Sequence, residues 1–231
     1  PPRSTQGVSS AASDVYKRQQ VNDTELLVVD QQTAQAQVRI EFADGVYNSD
    51  DSVMSSIYTN YFGSGMSSVV FQELREARAL AYSAQARYAQ GGRENAENLM
   101  LGAIGTQTDK TVDALEAFID LIDNMPSSSE RFEEAVNSQL NRYRTSKLNF
   151  REVIGAVRSW ERLGFETDPR MQRYQELQTA SLDDLVEFQQ EHVQGRPKLI
   201  SIVGDLSIID TEELEKFGTV EEIQVGQLFV D

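Results

Sequence analysis

The 231-residue sequence has no cysteine and a single histidine, His192, and each absence excludes chemistry. Without thiols there is no disulfide framework, no thiolate nucleophile and no cysteine-ligated metal. One imidazole cannot supply the two or three that most catalytic zinc sites use, and it leaves no second histidine for a proton relay. Basic side chains are scarce as well: 21 Lys and Arg stand against 37 Asp and Glu, a formal net charge of −16. Such a chain repels phosphate backbones and anionic lipid, so neither nucleic acid nor a membrane is expected as a partner. No apolar run nears the roughly 20 residues a spanning helix needs. The bacterial periplasm and the cytoplasm both stay open as compartments, since cysteine-free chains occur in each.

What is present suits a globular fold. Hydrophobic residues make up 39% and charged residues 25% of the chain, and the length can bury one large core. Residues 1–19 hold no sustained apolar period, and no apolar stretch follows their positive charges as in a secretion signal. Within them Asp14–Gln19, DVYKRQ, reads as an in-frame translation of the transposon mosaic-end adaptor of sequencing libraries. Residues 1–19 are therefore expected to be a non-native or disordered leader, with further native chain upstream, and residues 20–231 a single domain.

The pattern then alternates between strand and helix periods. Leu26–Val29 is a short apolar strand, and Ala34–Phe42 sets Ala36, Val38, Ile40 and Phe42 against Gln35, Gln37, Arg39 and Glu41, a strand with one wet face. Helical spacing follows at Val53, Met54, Ile57 and Tyr61 up to Gly63, and again after Gly65 at Met66, Val69, Val70 and Leu74. Ala81–Ala89 and Asn98–Thr106 read as paired strands around Gly91-Gly92. Asp109–Met125 is an amphipathic helix stopped by Pro126, and Ser127 with Glu130 has the spacing of a capping box for the next helix, through Tyr143. Helices are expected over Arg151–Leu163, after Pro169 and after Ser181; Lys198–Val203 is a buried strand, and Thr219–Val225 a last one. Strands first, consecutive helices next and late strands returning give an α+β fold, a two-layer sandwich with a mostly antiparallel sheet backed by helices.

The candidate chemistry is sparse. Phe62-Gly63-Ser64-Gly65 precedes a helix as phosphate loops do, but it lacks the Gly-Lys-Ser/Thr ending and follows a helix; a tight helix–helix turn with positive φ explains it better. His192 closes Phe188-Gln189-Gln190-Glu191-His192, in which Phe188 stands where a zinc motif needs a ligand, so a surface or helix-end histidine is expected. The pairs Asp50-Asp51, Asp183-Asp184 and Glu212-Glu213 lie near helix starts and read as capping charges. Arg75 and Tyr82, a guanidinium and a phenol seven residues apart at a helix end and a strand start, are donors suited to a carbonyl or oxyanion. From spacing alone, an Arg75 ion pair with a nearby acid and a core Tyr82 explain them better, because structural ion pairs and half-buried tyrosines are common.

The segment GMSSVVFQELREARALAYS at 65–83 resembles the second-domain segment of pitrilysin/insulinase-family zinc metallopeptidases, the inverzincins. AQAQVRIEF before it, and LGAIGTQTDKTVDALEAFIDLI and LISIVGD after it, fall in that family's order. The resemblance implies a half that lacks the HxxEH zinc motif, as this sequence does, and closes like a clamshell with an HxxEH-bearing catalytic half over an extended peptide. It implies no cofactor in this chain and zinc in the partner half, in the same full-length chain or a separate subunit. It assigns Arg75 and Tyr82 to the substrate carbonyl and the oxyanion; Gly63, Gly65 and Ser67, in the adjoining turn, are expected to contact substrate. An inactive assembly subunit, like the core subunits of respiratory cytochrome bc complexes, and a free-standing peptide-binding module are the alternatives. An acidic inner wall would suit basic peptides, although most of these carboxylates are expected on the solvated outer surface.

Overall fold

The computed structural model describes residues 22–228, so the expected leader lies outside the described residues. Six strands form one mixed sheet in the order β3-β4-β2-β5-β1-β6. They are β1 (Glu25–Asp30), β2 (Gln35–Val46), β3 (Ser83–Ala89), β4 (Glu97–Gln107), β5 (Leu199–Gly204) and β6 (Thr219–Glu222). The β3–β4, β4–β2 and β2–β5 pairs are antiparallel, whereas β1 pairs parallel with β5 and with β6. Late β5 thus inserts beside β2, and the α+β sandwich expected from the element order is borne out.

The helices are α1 (Ser52–Tyr58), α2 (Thr111–Asp123), α3 (Ser129–Thr145), α4 (Val153–Arg162), α5 (Arg170–Thr179), α6 (Leu182–His192), and the single turns α7 (Thr211–Leu214) and α8 (Val225–Leu228). Among the described residues no helix is long and apolar enough to cross a membrane. Two π-helical segments, Thr59–Gly63 and Phe71–Ala77, bracket the glycine turn. The buried face of the sheet carries Leu26, Val38, Ile40, Met100, Ile104 and Ile200, and against it pack Ile57, Phe62, Leu115, Phe118, Leu185 and Phe188. Alternation along β2 runs without a break from Gln35 to Asp44, as a half-buried strand requires.

Among the described residues nothing covers the other face. Its cross-strand rows read Gln85, Ala103, Arg39, Ser201, Leu27, Glu221 and Arg87, Leu101, Glu41, Leu199, Glu25, Thr219. Arginines and glutamates interleave with half-buried leucines there, so the carboxylates of this acidic chain are not concentrated on it.

Several local expectations are corrected. The N-cap of α3 is Ser128, whose side chain accepts from the Arg131 amide, and not Ser127. Tyr61 fixes this register: its hydroxyl donates to the Pro126 carbonyl at 2.7 Å and accepts from the Ser128 amide at 2.8 Å. Met66 is exposed, because the chain from Ser64 to Ser68 is turn, and only Val69, Val70 and Leu74 face the core. Helix α4 forms as expected but buries none of its residues. The capping box of α6, Ser181 with Asp184, is present, and Asp183-Asp184 and Glu212-Glu213 lie in first helical turns as expected.

Candidate functional site

The segment from Thr59 to Tyr88 folds as two π-helical pieces, a glycine turn between them, and the edge strand β3. Gly65 has φ +90 and open space around it, the positive-φ turn expected of this glycine. Gly63 is glycine for a different reason. A Cβ there would lie 2.0 Å from the Ala86 carbonyl oxygen, so the π-helical turn runs directly against the β3 backbone. Beside it the Tyr88 amide donates to Thr59 Oγ1 at 3.1 Å, and the Thr59 hydroxyl donates to the Tyr88 carbonyl at 3.3 Å. The outer edge of β3 is thereby closed from Ala86 to Tyr88, where bare amides and carbonyls would otherwise invite another strand.

Beyond Gly65, Val69 and Val70 begin the helix that becomes π-helical over Phe71–Ala77, a widened geometry common at functional sites. The Leu74 carbonyl accepts from both Leu80 and Ala81, the turn closing through Ala79 at φ +50. Thr106 Oγ1 donates to the Leu80 carbonyl at 2.6 Å, and the Tyr82 amide donates to the Gly105 carbonyl at 2.8 Å. These bonds bring Arg75 and Tyr82 out of one tied-down turn at the end of β4.

Neither side chain is consumed. Arg75 is 48% exposed, 3.7 Å from the Glu76 carboxylate and stacked over Phe71. Tyr82 is 54% exposed, and its hydroxyl accepts from Gln107 Nε2 at 3.1 Å, leaving the phenolic proton for another acceptor. The ion pair with an adjacent acid is therefore present, at long range, while a core position for Tyr82 is not. Gly65 and Ser67 are exposed and Gly63 is buried.

The sequence reasoning missed a second polar centre behind the sheet. Asp44, 3% exposed, receives the Tyr88 hydroxyl at 2.6 Å and lies 2.7 Å from His192 Nδ1, while the Arg196 guanidinium holds its other oxygen. This cluster ties β2, β3 and the end of α6 together and completes the hydrogen bonding of a buried carboxylate. Burial and the Asp44 carboxylate both push the Tyr88 phenol far above its ordinary range, so it acts as a donor. Burial likewise raises Asp51, with His192 opposing it. Carrying the period-2 alternation two residues past Phe42 would have placed Asp44 on the buried face. His192 is the helix-end residue expected, turned inward onto Asp44.

These residues do not fit a zinc site. Among the described residues no group of three or more His, Cys, Asp or Glu side chains could hold a metal, and the one imidazole is engaged with Asp44.

Solved structures with this fold share little sequence. The peptidase M16 inactive domain from Pseudomonas fluorescens superposes with a TM-score of 0.68 at 13% identity, over 79% of this chain and 44% of that one. A protease from Helicobacter pylori gives 0.67 at 15% identity, over 80% of this chain and 44% of that one. A chain of complex III2 from Candida albicans gives 0.60 at 12% identity, over 85% and 50%. The present chain thus spans about half the length, or less, of the structures it resembles. No curated protein matches it. The family model described as the peptidase M16 inactive domain matches residues 9–139. With more than half of its length covered by that model, and with the fold expected of it, the chain belongs to the peptidase M16 inactive-domain family as a C-terminal, non-catalytic M16 domain.

Proposed function

We propose that this domain is the non-metal-binding half of a zinc metalloendopeptidase, which closes with an HxxEH-bearing catalytic half over an extended peptide. The observation that carries the reading is the turn at 74–82: two strong donors, Arg75 and Tyr82, are held by backbone hydrogen bonds on a rigid edge while both heads stay open to solvent. A structural pair would be expected to bury or to saturate these groups. The zinc belongs to the other half and supplies the water activation there. Arg75 and Tyr82 donate to the substrate carbonyl and to the charge that grows on it, a contribution that rises in the transition state. Gly65 and Ser67 border the same turn and meet the substrate backbone, with Gly63 packed behind them.

The test uses the complete enzyme, both halves together. Arg75→Ala and Tyr82→Phe should each lower kcat about 10²-fold or more, the scale of losing one oxyanion donor, with the unfolding midpoint unchanged because both groups are exposed. Turnover unaltered in both variants removes the assignment and favours an assembly subunit of the same fold.

A further inference from the structure

On the helix side, away from the open sheet face, α1, α3 and α5 and the connection 146–152 enclose a cleft of about 880 Å³. Its charge is the reverse of the molecule's. Between Glu134 and Glu152 the chain has Arg142, Arg144, Lys147 and Arg151 and no acid, in a protein of net charge −16. Arg142, Arg144 and Lys147 line the cleft with Arg170 and Arg173, against Glu152 and Asp168.

The acids are already spent. Asp168 holds Arg170 at 2.9 Å and is kept below the usual carboxylate range by that bond, and Glu152 accepts the Asn149 amide. Among the described residues Arg142 and Lys147 form no ion pair, and Arg173 Nε is buried without a hydrogen-bond partner. The helix dipole accounts for Arg142 and Arg144, which lie in the last turn of α3. It disfavours Arg170 and Arg173, which sit in the first turn of α5, where no acid occurs.

Beside the cleft, apolar side chains face solvent. Phe150 is 78%, Ile154 67% and Met171 68% exposed, and amphipathic α4 buries nothing. Cations within a concave surface and an apolar rim together match carboxylates and apolar side chains on one ligand. Inorganic phosphate supplies no apolar half, and a bilayer surface is too flat to enter a concave cleft. The overall negative field does not forbid such a partner, because exposed charges beyond about 8 Å are screened at physiological ionic strength.

We propose that this cleft and its α4 rim dock an acidic polypeptide segment carrying apolar side chains. Nothing in this assignment depends on the peptidase reading, since it uses neither Arg75, Tyr82 nor the open sheet face.

The test is equilibrium binding of the full chain to a fluorescent 12-residue peptide of Glu, Leu and Phe, with its Lys-for-Glu counterpart, polyglutamate and inorganic phosphate as competitors. The acidic apolar peptide should bind saturably, and Arg142→Glu/Lys147→Glu should weaken it by about tenfold or more. Phe150→Ser/Ile154→Ser, at exposed positions that leave the fold intact, should weaken it as well. Arg87→Glu/Lys216→Glu, the same charge change outside the cleft, should leave it unchanged. The proposal is overturned by absent saturation, by equal binding of the lysine peptide, or by equal competition from phosphate. A self-association abolished by Phe150→Ser would assign the face to a second copy and overturn it too.

Discussion

Replacing Gly63 by alanine isolates the contact that seals the β3 edge. The new Cβ would lie 2.0 Å from the Ala86 oxygen, 2.4 Å from its carbonyl carbon and 2.6 Å from its Cα, all backbone atoms that no side-chain rotation can move. The π-helical turn and β3 must therefore separate by about 1 Å or more, as overpacked sites do at a cost of about 1–3 kcal/mol. That separation stretches the two hydrogen bonds between Thr59 and Tyr88, each contributing about 1 kcal/mol. The expected loss is about 2–4 kcal/mol in urea unfolding, read as a lower midpoint at constant slope. Gly65→Ala is the internal comparison: nothing lies within 4 Å of its added Cβ, and only the positive φ opposes it, a cost of about 1–2 kcal/mol. Asparagine, which tolerates positive φ, should recover stability at Gly65 but not at Gly63. A Gly63→Ala protein within about 0.5 kcal/mol of the parent refutes the close approach, as does a rescue of Gly63 by asparagine.

Three further outcomes follow from the packing. Asp44→Ala leaves the Tyr88 hydroxyl and the His192 ring without their buried partner, while the part-exposed Arg196 can turn to water, and should cost about 1–3 kcal/mol in the same assay; a loss below about 0.5 kcal/mol would show the cluster to be solvated. Ser128→Ala should cost about 1 kcal/mol and Ser127→Ala less than half of that, with equal losses refuting the assigned cap of α3. Burial raises the Tyr58 and Tyr88 phenols above the usual tyrosine value. The unfolded chain releases these protons near about pH 10 while the fold retains them, so their stabilisation is complete below that pH and is lost as pH climbs beyond it. Urea midpoints that stay level from about pH 9 to pH 11 would contradict this.

Much of the fold was legible because its signals are local. The alternation at 35–42, the apolar stripe at 112–122 and the Ser181 cap each depend on neighbours a few residues away, and each forms as read. The cap of α3 was misplaced by one residue because Ser127 and Ser128 present the same hydroxyl, and only Tyr61, far off in sequence, selects between them. Helix α4 shows the opposite limit: its apolar period was plain, but periodicity cannot say whether a matching surface exists within the same chain.

The same division runs through the candidate site. The sequence by itself determined the class of protein and what chemistry is excluded, since one histidine and no cysteine leave no zinc site built on several His or Cys ligands, and the 65–83 segment marks the family. It also named Arg75 and Tyr82. Only the tertiary structure decided that both heads remain exposed from one tied turn, that Gly63 closes the edge of β3 against Ala86, and that Asp44, Tyr88, His192 and Arg196 meet behind the sheet. Burial, close approach and charge pairing are relations between residues distant along the chain, so no local pattern can encode them.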